Sequence, residues 1–221
     1  MVAADSSIPS VWARQEQRRE QPALSRERIV AEAVRLLDEQ GLESLSMRML
    51  GRRLDAGATS MYRHIASKDE LIELVVDEVY AEVEVPGPAG PGQWRTGVAA
   101  AARSLREMAL RHPWVTGMLG QAGPAYLGPN LSRTSEGLLD ILKSGGFDRA
   151  ECDRAMSAVV AYVVGTVMSE AARLSLVARS RKAERETQEH DDPAGYREET
   201  FQYGLDRLLD GLASRLADEI S

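Results

Sequence analysis

From Leu24 to the C-terminus, apolar residues return mainly every three or four positions. That spacing marks one face of a helix and is incompatible with the alternation of a half-buried strand. Clusters of Gly and Pro interrupt it at "DAG", "PGPAGPG", "HPW" and "SGG", and such clusters end helices. The chain therefore reads as all-α. Aromatics are only 5% of the residues and the β-branched ones form no alternating run. With 221 residues, 43% of them hydrophobic, the chain can bury a core in one large domain or two modest ones.

Caps divide the first third. Ser25 is an N-cap for a helix whose inward face is Ile29, Val30, Ala33, Leu36 and Leu37, and Gly41 ends it. "LSMRMLGRRL" is a second, shorter helix, capped by Ser44 or Ser46, with Leu45, Met47, Leu50 and Leu54 inward. After "DAG", "ATSMYRHI" is a third, with Met61 and Ile65 inward. Ser67 caps a fourth, and Glu70 three residues later completes a capping box. Two short helices across a three-residue turn have the geometry of a helix-turn-helix. Further helices follow from about residue 92, the last from Pro193 to Ile220. This outline separates a polar arm (1–23), a helix-turn-helix unit (24–70) and a helical bundle (71–221).

Charge is distributed unevenly. The whole chain carries a formal −7, yet in residues 44–68 five cations (Arg48, Arg52, Arg53, Arg63, Lys68) stand against Asp55 alone. A local basic face can bind nucleic acid whatever the total. The small residues of "GATS" would let a helix backbone approach base edges in the major groove. Tyr62 and His64 can donate to phosphate oxygens, and Lys68 sits at a helix start that itself favours an anion. Catalysis has no comparable support: His64, His112 and His190 lie in different segments, and no nucleophile, metal or phosphate-loop motif appears. No cofactor or metal is expected. The lone Cys152, the lack of a signal-peptide pattern and the lack of an apolar run near 18 residues point to a cytoplasmic chain outside the membrane.

"LSMRMLGRRLDAGATSMYRHIASKDEL" resembles the DNA-binding signature of the tetracycline-repressor (TetR) family of bacterial transcription regulators, over about residues 24–75. The resemblance implies that Arg48 contacts phosphate. It places Ala58, Thr59 and Ser60 against bases, and Tyr62, His64 and Lys68 on the DNA backbone. Two positions depart from the family pattern: Gly51 replaces the usual Ala, and Asp55 replaces the usual Gly of the turn. Asp tolerates the left-handed conformation better than most residues. The family's second domain is a bundle that binds a small effector and forms a homodimer. The expected function is a regulator, by family habit a repressor, that leaves a palindromic double-stranded DNA operator when its effector binds. The alternatives are an activator with the same DNA-binding parts, or a homodimeric interaction protein that no longer binds DNA.

Two stretches of the bundle suit a dimer. The apolar helix around Tyr162 and the stripe Phe201, Leu205, Leu208, Leu212 and Leu216 are too hydrophobic for solvent. They would form a four-helix interface with a second copy, or pack within the chain. For a small, largely apolar effector, the adaptable residues are Trp94, Met108, Trp114, Met118, Tyr126, Tyr162 and Met168.

Overall fold

Ser25, Ser46 and Ser67 each start a helix. Their hydroxyls accept the backbone N–H three residues on, from Arg28 (3.3 Å), Met49 (3.2 Å) and Glu70 (3.0 Å). In the computed structural model, which describes residues 23–119, 128–183 and 193–218, these serines open α1 (Arg26–Gln40), α2 (Met47–Arg53) and, after α3 (Ala58–Tyr62), α4 (Lys68–Tyr80). The described residues contain no strand. Most of the polar arm (1–22), Tyr126, residues 184–192 and Ile220 lie outside them. The capping box forms in modified form: the Glu70 carboxylate accepts from the N–H of Ala66, one residue before the cap, and also pairs with Arg26. α3 stops at Tyr62, short of the expected Ile65, because Ser67 already begins the next helix.

The turn between α2 and α3 rests on the two unusual residues. Asp55 has φ +48°, the only positive φ outside glycine among the described residues, and its type tolerates that region. Gly51 lies against the carbonyl of Ala56, where an added Cβ would sit only 2.7 Å from the oxygen. Its own carbonyl accepts the Ala56 N–H at 2.8 Å. Gly51→Ala should therefore lower stability by about 1–2 kcal/mol, the clash outweighing the roughly 1 kcal/mol gain in helix propensity. The midpoint of urea unfolding measures this, and an unchanged or raised midpoint would refute it.

The bundle comprises α5 (Trp94–Arg111), α6 (Val115–Leu119), α7 (Pro129–Ser144), α8 (Arg149–Ala183) and α9 (Pro193–Asp218). α5 packs on α7 and α8, α8 also on α7 and α9, and α4 bridges α1 and α7. Ile29, Leu36, Leu50, Met61 and Ile65 are fully buried on one side of α4, and Val98, Met108, Leu142, Val163 and Leu205 on the other. Asp77 of α4 caps α7 from outside, accepting the N–H groups of Asn130 (2.9 Å) and Leu131 (3.1 Å). Arg149–Arg173 is long and apolar enough to cross a membrane by length and composition, which corrects the expectation of no such stretch. Its Val159, Val163 and Val167 face the bundle core, whereas Ala161, Gly165, Met168 and Ala172 are exposed on the protomer.

The end of α5 meets the helix-turn-helix unit. Pro113 stops α5, and the residue before a proline is driven out of the helical region. His112 accordingly has φ −122° and ψ 68°. Its buried ring lies between two carboxylates, with Nδ1 2.7 Å from Asp38 of α1 and Nε2 3.1 Å from Glu82, just past α4. Trp114 Nε1–H donates to the same Asp38 oxygen at 2.7 Å, and Arg111 donates to Glu82 at 2.8 Å. Burial alone would raise the Glu82 carboxyl, but the hydrogen bonds from His112 and Arg111 outweigh it and hold it below its ordinary value. A carboxyl depressed on folding stabilises the fold above its unfolded pKa, and that stability is lost as pH falls through the folded one. Thermal midpoints should fall on acidification below the ordinary glutamate range, and Glu82→Gln should make that fall shallower; identical pH profiles would remove Glu82 as a cause.

Candidate nucleic-acid interface and bundle cavity

Arg48 stands in the first turn of α2, and the turn at Asp55 brings Tyr62 of α3 beside it. A groove of about 570 Å³ is lined by Met47, Arg48, Gly51, Arg52, Asp55, Ala56, Gly57 and Tyr62. Tyr62 is 52% exposed although Met61 and Ile65 on either side are fully buried. Its ring is thus presented to the surface by a helix anchored from behind. Thr59 is exposed and Ser60 half-buried; the side chain of Ala58 lies outside the described residues. His64 is half-buried, and its carbonyl accepts from Arg26 Nε at 3.3 Å. Lys68 is exposed at the first residue of α4.

The basic patch is smaller than the sequence suggests. Arg53 turns back to α1, pairing with Glu32 at 3.1 Å and with Glu39. Arg48, Arg52, Arg63 and Lys68 are exposed and form no ion pair among the described residues. They are the cations left for an external anion. Asp55 shares the groove with Arg48 and Arg52 and offsets part of that field.

The expected effector residues do not converge. Trp94 is buried at the start of α5, packed edge-on against Phe147 with centroids 4.8 Å apart. Met108 lies fourteen residues further along the same helix, about 21 Å away at 1.5 Å per residue. It is buried there, as are Trp114 and Met118. Met168 is 52% exposed rather than turned into a cavity. Tyr162 alone lines a cavity of about 650 Å³ between α8 and α9, with Thr166, Glu170, Arg173, Tyr196, Arg197 and Phe201 among its other walls.

The dimer residues are also redistributed. Phe201 and Leu205 are buried within the protomer, with Tyr162 stacked on Phe201 at 5.6 Å and donating its hydroxyl to the Phe201 carbonyl at 2.8 Å. That corrects their assignment to an interface: the intrachain core already covers them. Tyr162, Leu208, Leu212 and Leu216 are half-buried. Burial raises the Tyr162 hydroxyl above its ordinary value, against the opposing effect of the Arg106 guanidinium.

Arg106 is buried in the bundle, a placement that hydrophobic periodicity does not reveal. It donates to Glu170 at 2.9 Å and to Glu198 at 2.5 Å, and its guanidinium lies 4.6 Å from the Phe201 ring centroid. The available signal was its position between Ala102, Leu105 and Ala109, on the inward stripe of α5.

Residues 29–75 match the family model for bacterial regulatory proteins of the tetR family, and residues 86–216 match the tetracyclin repressor-like C-terminal domain. An HTH-type transcriptional regulator of Saccharopolyspora erythraea is 41% identical over 73% of this chain and 67% of its own length. The HTH-type transcriptional repressor DrrR1 of Streptomyces coeruleorubidus is 32% identical over 86% of this chain and 78% of its own. The structure is similar to that of the Streptomyces coelicolor TetR family protein ActR in complex with actinorhodin, with a TM-score of 0.73 and 29% identity, covering 88% of this chain and 99% of that one.

Proposed function

We propose, since the chain belongs to the TetR family of bacterial transcriptional regulators, that it is a homodimeric repressor. It occupies a palindromic operator and leaves it when a small effector binds the bundle. The observation that carries the DNA-binding reading is the set of exposed cations Arg48, Arg52, Arg63 and Lys68 on a capped helix-turn-helix, which form no ion pair among the described residues. In this reading Arg48, Tyr62, His64 and Lys68 hold phosphates and set the register, while Ala58, Thr59 and Ser60 face the bases. Two such units about one helical turn apart, roughly 34–36 Å, read the two halves of a palindrome. The chain divides functionally within α4, whose N-terminal end belongs to the DNA-binding unit.

The second copy docks on the exposed apolar side of α8 (Ala161, Gly165, Met168) together with the half-buried Leu208, Leu212 and Leu216 of α9. ActR, a similar protein, has been seen with actinorhodin, and a largely apolar effector suits a bundle of this composition. The effector acts by favouring a state whose recognition helices are spaced wrongly for the operator. Catalysis forms no part of this reading, and the cytoplasm is its natural compartment.

Selection of genomic DNA fragments by the purified protein, with the mass of the bound complex, tests it. Enrichment of a palindrome held by a dimer is the expected result. Failure to enrich any sequence at low salt would overturn the regulatory reading in favour of an interaction protein.

A further inference from the structure

We infer that Asp38, held by His112 and Trp114, is the contact through which the bundle and the helix-turn-helix unit sense each other's state. The inference rests on the regulatory reading above and names residues for its coupling step. Asp38 lies in the last turn of α1, the helix whose Ile29, Leu36 and Leu37 form the core behind α2 and α3. One of its oxygens meets two groups of the segment that leaves α5: it accepts from Trp114 Nε1–H and lies against His112 Nδ1, both at 2.7 Å.

Three features make this a relay rather than an ordinary surface contact. Both groups are buried, at 7% exposure each, so losing the carboxylate strands polar groups away from water. They are set by one local device: Pro113 bends the chain so that residues two apart converge on the same carboxylate, with their rings edge to face at 5.9 Å. The segment also continues directly into α6, whose Val115 and Met118 are buried in the bundle. A shift of α6 therefore either carries Asp38 and α1 with it or breaks both bonds. The second ring nitrogen of His112 faces Glu82, so the same imidazole touches α1 and the segment just past α4.

Coupling between sites is reciprocal, so it can be read from the DNA side without knowing the effector. The probe is the operator duplex recovered by selection, and the readout is amide hydrogen exchange of residues 112–119 with and without that duplex. In the wild type, operator binding should slow exchange there by on the order of tenfold, a coupling of ordinary size. Asp38→Ala should bind the duplex with nearly unchanged affinity, since Asp38 is not a DNA contact, yet lose the slowing. Asp38→Asn keeps an oxygen for both groups and should retain it. A merely structural Asp38 would lower the unfolding midpoint without altering the DNA-dependent change.

The inference is overturned if wild-type exchange at 112–119 is indifferent to bound operator, or if Asp38→Ala transmits the change as the wild type does. It is also overturned if Asp38→Asn fails as completely as Asp38→Ala. Absence of any operator binding by the wild type is a separate result, which overturns the regulatory reading itself.

Discussion

Replacing Arg48 and Lys68 together with alanine should cut operator affinity on the order of 10³-fold near 0.1 M salt, and by a similar factor on unrelated DNA. Two lost phosphate contacts per protomer are four per dimer. Each contact releases close to one counterion, so the log–log salt dependence should become shallower by about 3–4. Both side chains are exposed and make no ion pair among the described residues, so thermal stability should barely change. Arg53→Ala is the informative control. Its guanidinium is engaged by Glu32 and Glu39, so its loss should act on α1–α2 packing and leave the salt slope near the wild-type value. Equal slopes for wild type and the double variant would show that the basic face is not where DNA binds.

Arg106→Ala should destabilise the bundle by about 3–5 kcal/mol, because it strands a buried carboxylate. The Glu170 side chain is only 11% exposed, and its remaining partner, Arg197, lies at 3.8 Å. Glu198, at 53% exposure, can return to water. Phe201 would also lose the cation above its ring. Pairing Arg106→Met with Glu170→Met removes both charges and keeps apolar volume, and should recover most of the loss. Urea unfolding of the single and double variants measures this. A single variant within about 1 kcal/mol of wild type would mean that water reaches Glu170 and the cluster is not effectively buried.

The parts legible in the sequence were those governed by local chemistry. Ser25, Ser46 and Ser67 cap because a hydroxyl reaches the N–H three residues away, an interaction spanning one turn. Gly41 and Asp55 take positive φ where the helical pattern breaks. The inward faces of α1 and α2 follow from periodicity alone. Long-range partners were not legible. Arg53 counts as a free cation until Glu32 and Glu39 on another helix arrive beside it. His112 is a plain cap residue until Asp38, 74 positions earlier, meets its ring. Phe201 and Leu205 show why a stripe is ambiguous: periodicity reveals that a face is covered, but not whether the cover is the same chain or a second one.

The outer side of α8 carries a consequence for how this protein survives dilution. Only 22% of its most apolar window is buried inside one protomer. If a second copy supplies the missing cover, folding and association are one equilibrium, and the unfolding temperature has no single value but climbs with protein concentration by mass action. A cell making few copies would then hold a larger fraction of them unpaired, with Met168 and its neighbours wetted and open to proteases or to aggregation. The number of molecules per cell would thereby set the lifetime of each one as well as the occupancy of the operator.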